Sequence, residues 1–342
     1  MRTSTRTRLS GLLAVLLLVA AGCSGPPEDG PGGSTTIRVA LDWTPNTNHT
    51  GLFAAQQEGW FKQAGLDVQL LPYNNSSADT LVSSGAAEFG VSFQDTFTFA
   101  KTAGGDLTSV LAVLQHWGTE IAVSADRADI RTPADLDGKT YGGFGAAYEQ
   151  PKMRTVIKNA GGRGDFKTVV LGTAAYEALH ARQVDFTEPF FAWEGIEAEM
   201  RGQPMKGFSY TDFGFPDSYN VIIAGNSTWL RDHPDQAKAF VQAVQRGYRL
   251  GADDPARGAQ LLQDANPGAF NEPELVRRSQ EMLAKRLLRD PSGAIGVQTL
   301  EKWTGYSGFL FDTGALSGPD GAPLKQRPDF SKWFTNEYLA GP

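Results

Sequence analysis

The chain has 342 residues, more than a single domain ordinarily holds, so two lobes are expected. Hydrophobic residues make up 41% of it, enough for two cores, and 38 Asp and Glu against 31 Lys and Arg leave a net charge of −7. That acidic balance excludes a nucleic-acid-binding surface and a polybasic membrane-binding face.

At the N-terminus, Arg2, Arg6 and Arg8 precede an apolar run from Leu12 to Ala21. A basic start, a short apolar run and the small residues Ala20-Ala21-Gly22 read as a signal peptide over residues 1–22. The run is too short for a membrane-spanning helix. Cys23, the single cysteine, follows Val19-Ala20-Ala21-Gly22 as in a bacterial lipobox, which implies lipid attachment; one thiol excludes an internal disulfide. Residues 23–36 are rich in Gly, Pro and Ser and read as a flexible tether. Removing residues 1–22 takes away three arginines and no acid, so −7 becomes −10. Membrane contact is therefore expected through lipid on Cys23 alone, at the extracytoplasmic face.

From residue 37 onward, strand and helix patterns alternate. Ile37, Val39 and Leu41 alternate into a strand, a helix is expected from Leu52 to Lys62, and Leu66, Val68 and Leu70 form a second strand. A helix ending near Gly85, strands at 88–93 and 107–114, a helix at 95–102 and a strand at 121–124 follow, which predicts a mostly parallel sheet. A first crossing between lobes is expected near 125–131. Beyond it come the loop Gly142 to Gly145, helices at 148–159, 174–182 and 193–201, and a strand at 168–171. A return crossing near 219–224 leads into helices, the longest from Pro234 to Leu250. The expected lobes are residues 37–125 with 225–342, and residues 126–224.

The loop Asp42-Trp43-Thr44-Pro45-Asn46-Thr47-Asn48-His49-Thr50-Gly51 leaves the first strand at its carboxyl end, where open α/β sheets place ligands. Its indole, amides and imidazole suit a flat hydrogen-bonding molecule; equally, Trp43 could anchor a core and the asparagines could form turns. Ser92-Phe93-Gln94-Asp95 ends another strand, with Gln94 expected to face the cleft and Asp95 suited to cap the next helix. His116-Trp117-Gly118-Thr119 occupies the equivalent place after the next strand, and a lone His is commonly structural. Gly142-Gly143-Phe144-Gly145-Ala146-Ala147-Tyr148-Glu149 is a glycine-rich turn opening a helix. Such turns can hold phosphate, but no Gly-Lys-Ser/Thr follows and Glu149 disfavours an anion. In Glu188-Pro189-Phe190-Phe191-Ala192-Trp193-Glu194-Gly195-Ile196-Glu197, the aromatics cannot all point inward, so at least one should line the cleft.

The opening loop resembles the Asp-Trp-x-Pro-Asn-x-Asn-His-x-Gly loop of periplasmic binding proteins that deliver thiamin-pyrimidine precursors to ABC importers, and of the related eukaryotic thiamin-pyrimidine synthases. Trp193-Glu194-Gly195-Ile196-Glu197-Ala198 is similar to a second signature of that family. The Gly-Gly-aromatic-Gly turn before Glu149 and the segment Asp212 to Asp217 match it more loosely. The resemblance implies an α/β type II periplasmic-binding-protein fold, with two α/β lobes joined by a two-strand hinge and a ligand cleft between them. It also implies a monomer without cofactor that binds a small heterocycle and partners ABC permease subunits. The ligand residues expected are Trp43, Asn46, Gln94, Tyr148, Glu149, Phe190, Trp193, Glu194 and Asp212, with Asn48, His49 and His116 left open.

Across the quoted segments at 42–53, 92–95, 142–149 and 188–197 there is no Lys or Arg, while Asp42, Asp95, Glu149, Glu188, Glu194 and Glu197 are present. An anion would lack a counter-charge there, whereas an amine-bearing heterocycle would find aromatic faces and acceptors. A thiamin-pyrimidine precursor is therefore expected, with riboflavin or another flavin-like ring as the alternative. A pyrimidine-forming enzyme fits less well. The resembling synthases use a lysine-bound cofactor, the loop histidine and a cysteine-rich motif; His49 matches and Lys62 lies near a suitable segment, but the cysteines are absent.

Overall fold

The computed structural model describes residues 34–341. The expected signal peptide and Cys23, the expected site of lipid attachment, lie outside the described residues. Strand β1 (Thr35–Ala40) takes up the last two residues of the expected tether, because Thr35 and Thr36 pair with Leu66 and Asp67 of β2 (Leu66–Leu71).

Between these strands the chain forms a 3-10 turn at Thr47–His49, α1 (Thr50–Gln57) and α2 (Trp60–Gln63). The single helix expected from Leu52 to Lys62 is divided because Gly59 adopts a left-handed φ of 71°. Next come α3 (Ala78–Ser83), β3 (Phe89–Ser92), α4 (Gln94–Thr102), β4 (Leu107–Ala112), β5 (Ile121–Ser124), β6 (Thr140–Gly143), α5 (Glu149–Asn159), β7 (Lys167–Val170) and α6 (Ala174–His180). A π-helical turn at Phe191–Gly195 then runs into α7 (Ile196–Met200), followed by β8 (Met205–Phe208) and β9 (Ile222–Asn226). Helices α8 (Ser227–Asp232), α9 (Pro234–Asp253), α10 (Pro255–Ala265), α11 (Pro273–Arg286) and α12 (Leu300–Asp312) complete the set. Proline opens α9, α10 and α11, where its missing N–H costs nothing. Strand β8 was not expected, since Met-Lys-Gly-Phe carries no alternating pattern.

The first sheet has the order β2-β1-β3-β9-β4. β1 runs parallel to β2 and β3, and β9 returns antiparallel between β3 and β4. In the second layer β6 pairs parallel with β7, and β5 pairs antiparallel with β8. The segment Phe186–Thr187 joins these pairs: the Gly142 N–H donates to Phe186 O at 2.9 Å, and the Ala122 N–H to Thr187 O at 2.9 Å. Both layers therefore repeat one sequence of parallel and antiparallel neighbours.

Alternate residues of a strand face opposite ways, so the first sheet feeds two cores. Val221 and Ile223 join one core with Phe240 and Val244 of α9, while Ile222 and Ala224 join another with Phe97 and Trp303. The core of the second layer holds Tyr141, Met153 and Phe186, and α12 adds Tyr306 and Leu310 to it.

Helices α1 and α9 cross at glycines. A Cβ at Gly247 would stand 2.0 Å from the Gly51 carbonyl oxygen. This approach lets the Tyr248 hydroxyl donate to Asn48 O at 2.7 Å, while Thr47 and Thr50 bond Ser279 and Gln280 of α11. The loop after β1 is thus tied to two distant helices. Gly247→Ala is expected to destabilise the fold by about 3 kcal/mol through overpacking, read as a lower denaturant midpoint at unchanged slope.

Candidate functional site

Segments leaving parallel strands at their carboxyl ends in both layers line one cavity of about 300 Å³. After β1, Asn46 caps the 3-10 turn: its Oδ1 accepts from the Asn48 N–H at 2.9 Å and its Nδ2 donates to Thr44 O at 3.0 Å. His49 is fully buried. Its Nδ1 accepts from the Asn46 N–H at 3.3 Å, and its Nε2 bonds Asp42 Oδ1 at 2.7 Å. Both ring nitrogens therefore serve the loop. Trp43 is 45% exposed and packs beside Tyr73, with ring centroids 4.9 Å apart.

After β6, the Glu149 carboxylate accepts from the N–H groups of Phe144 and Gly145 at 3.0 and 3.1 Å. A Cβ at Gly143 would lie 2.4 Å from Glu149 Oε2, so this turn requires glycine. Glu149 shapes the loop that it closes, and Tyr148 beside it lines the cavity. Burial holds the Glu149 carboxyl above its ordinary range, against the pull of the loop amides.

After Phe186–Thr187, Glu188 accepts from Thr119 Oγ1 at 2.9 Å and pairs with Lys152. The π-helical turn then sets Phe190, Trp193 and Glu194 on the cavity wall; such turns recur at functional sites. Asp95, one residue into α4, accepts from its neighbour Thr96 and from the Tyr306 hydroxyl at 3.2 Å. Burial pushes its carboxyl up to about 6, partly offset by the charge of Lys152.

Among the described residues, the buried side-chain oxygens without a partner are on Asp79, Tyr141, Tyr210 and Glu194. Of these residues only Glu194 lines the cavity. Burial raises its carboxyl to about 7, against the pull of the Glu194 and Phe190 amides. Glu194 thus combines a place on the wall with a buried oxygen that has no protein partner, and it also borders a second cavity lined by Glu177, His180, Glu197 and Arg201. A buried carboxyl oxygen of this kind holds an N–H donor strongly where one reaches it.

Of the residues named from sequence, Trp43, Asn46, Tyr148, Glu149, Phe190, Trp193 and Glu194 line this wall. Gln94 and Asp212 do not. Gln94 is fully buried and turned away: its Oε1 accepts from the Tyr219 N–H at 2.9 Å and from Ser218, and its Nε2 donates to Ser307 of α12. Asp95, suited by sequence to cap α4, faces the cavity instead, and Phe93 holds the cap position. Asp212 sits exposed on a 3-10 turn, and Glu197 pairs with Arg201 outside the cavity. His116 bonds Asp217 at 2.7 Å, and Lys302 also reaches Asp217; none of the three lines the cavity. Sequence reading missed Tyr176, Asn220 and Ser279 on the wall and Lys152 behind it. Tyr176 and Asn220 flank strand ends and could have been flagged, whereas nothing local marks Ser279.

Residues 46–258 match the model of the family described as NMT1/THI5 like. The chain belongs to the NMT1/THI5-like family. Among its relatives, the formylaminopyrimidine-binding protein of Halalkalibacterium halodurans is 28% identical over 302 residues, spanning 86% of this chain and 90% of that one. A 4-amino-5-hydroxymethyl-2-methylpyrimidine phosphate synthase of Saccharomyces cerevisiae is 24% identical over 319 residues, spanning 90% and 88%. Among solved structures, the periplasmic aliphatic sulphonate binding protein SsuA of Escherichia coli superposes with a TM-score of 0.65 at 13% identity, covering 88% of this chain and 95% of that one. This member of the NMT1/THI5-like family therefore has the two-lobed type II periplasmic-binding-protein fold. Among its described residues no His, Cys, Asp and Glu cluster could hold a metal ion, and no helix is long and apolar enough to cross a membrane.

The raised Glu194 carboxyl has a signed consequence. Its folded value, about 7, lies above its ordinary 4.5, so its contribution to stability is full below 4.5 and is lost as pH rises through 7. Asp95 and Asp79, each raised to about 6, act with the same sign. Thermal unfolding of the ligand-free protein should therefore show a falling midpoint across that window, and Glu194→Gln should flatten its upper part.

Proposed function

We propose that this protein is a solute receptor of an ABC importer that captures a neutral, amine-bearing pyrimidine of the formylaminopyrimidine type outside the cytoplasm and hands it on unchanged. In this reading the two layers are the lobes that close on it, with the first crossing moved from the expected 125–131 to the stretch before β5, because Ile121–Ser124 pairs with β8 of the second layer while β9 lies wholly in the first sheet. Cys23 carries the lipid anchor, and the receptor works as a monomer. Glu194 carries the reading, as the cavity-lining residue that has a buried oxygen without a partner among the described residues. An aminopyrimidine edge offers the matching donors in one plane, and Phe190, Trp193 and Tyr148 supply faces for its ring. A ligand lacking those donors would leave the buried Glu194 carboxyl unpaired or force it to hold a proton, whereas a donating ligand lets it ionise in place, which gives selectivity.

Cavity size and charge support the choice. A volume near 300 Å³ is at the low end for ligand pockets and suits one ring with short arms better than a three-ring flavin. Among the described residues no Lys or Arg lines it, so a sulfonate would find acids and no counter-charge, although the fold is shared with a sulphonate binder.

Three observations support binding rather than synthesis. Both ring nitrogens of His49 are engaged by its own loop. Lys62 is exposed on α2 and does not line the cavity. A cysteine-rich motif is absent, the one cysteine being Cys23.

Calorimetric titration with formylaminopyrimidine, riboflavin and an alkanesulfonate tests the reading. The pyrimidine is expected to bind one to one, with Glu194→Gln and Trp193→Ala each weakening it by about tenfold or more at near-normal thermal stability. Tight binding of riboflavin or the sulfonate, with none of the pyrimidine, would contradict it. A pyrimidine product formed on incubation with pyridoxal phosphate and iron would contradict the receptor assignment.

A further inference from the structure

One buried cation stands outside the ligand contacts described so far. Lys152 lies in the first turn of α5, is fully buried and does not line the cavity. Its ammonium pairs with Glu188, which does. It also stands 4.7, 4.8 and 5.1 Å from the ring centroids of Trp117, Tyr210 and Tyr148, and Trp117 and Tyr148 are themselves cavity wall. A buried ammonium needs a counter-charge and benefits from aromatic faces, so three wall residues are arranged around a positive charge set behind them.

We propose that Lys152 determines specificity: by cancelling the charge of Glu188 from behind the wall, it makes the cavity select a heterocycle whose side arm is a neutral acylated amine over the same ring bearing a free, protonated amine. This rests on the pyrimidine-receptor reading above. The lining residues include Asp42, Asp95, Glu149, Glu188 and Glu194 and no Lys, Arg or His. An acid-lined wall with nothing behind it would favour a cation. Asp42 is bonded to His49, Glu149 to its loop amides and Asp95 to Tyr306, with Lys152 acting on Asp95 only through its charge, so Glu188 is the wall carboxylate that pairs directly with the lysine. In a cavity this small, an ammonium arm lies close to Lys152 with little water to screen the repulsion. An amide arm brings a donor and an acceptor but no net charge, and Thr119 and Asn220 offer polar wall groups.

The test titrates the full-length protein with two probes, the formylated aminomethylpyrimidine and the corresponding free primary amine, at near-neutral pH. Wild type, Lys152→Met, Glu188→Gln and the double variant are compared, each checked by thermal unfolding. Wild type is expected to prefer the formylated compound. Lys152→Met should shift the preference toward the amine by about tenfold or more, Glu188→Gln should shift it the other way, and the double variant should return near the wild-type ratio. If Lys152→Met does not fold, the Glu188→Gln ratio decides: a stronger preference for the formylated compound supports the assignment and an unchanged one overturns it. Equal binding of both probes by wild type, or ratios insensitive to the variants, overturns the role of Lys152 alone. Failure of wild type to bind either probe overturns the receptor reading itself.

Discussion

Five carboxyl groups border one small cavity, and keeping that much like charge out of bulk water is the constraint that the surrounding structure answers. Each acid is met differently. Asp42 is bonded by a buried histidine, Glu149 by amides of its own glycine turn, Asp95 by a tyrosine from α12, and Glu188 by a threonine and a lysine. Glu194 alone keeps a buried oxygen free, and burial drives its carboxyl toward the neutral form.

The fold makes this arrangement possible by bringing the carboxyl ends of parallel strands from two layers to one place. Each layer inserts an antiparallel strand beside its parallel set, and the chain passes between layers near Trp117 to Thr119 and again near Asn220, all of which border the cavity. Helices far along the chain stiffen the first loop. The glycine crossing of α1 and α9 carries Tyr248 to the Asn48 carbonyl, and α11 supplies Ser279 both to Thr47 and to the wall. An occupant of the cavity therefore touches side chains whose positions depend on the C-terminal helices as well as on the strands.

Sequence was most informative where function and local structure coincide. Trp43 and Glu149 follow β1 and β6 within a few residues, so the strand-loop-helix pattern alone puts them near a cleft, whereas Trp193 and Glu194 were named by the family signature and the crowded aromatic run. It was least informative where the third dimension decides. Gln94 and Asp95 are neighbours at the start of α4, and only packing against α12 determines that Asp95 faces the cavity while Gln94 turns inward. Charge read from the loops suggested a wall without basic residues; that holds for the lining itself, but Lys152 lies three residues beyond the quoted glycine turn and reaches Glu188 from behind. Gly59 divides an otherwise continuous helical pattern because a left-handed residue can be placed there cheaply, and the hydrophobic spacing gives no warning of it.

A crystal structure of the protein grown with formylaminopyrimidine tests the central claim most directly. The expected result is a pyrimidine closed between the two lobes, its ring against the Trp193 and Phe190 side, an N–H donor within hydrogen-bond distance of Glu194 Oε2, and Lys152 still paired with Glu188. A ligand seated elsewhere, or one in this cavity with Glu194 still unpartnered and an anionic group at its centre, would contradict it.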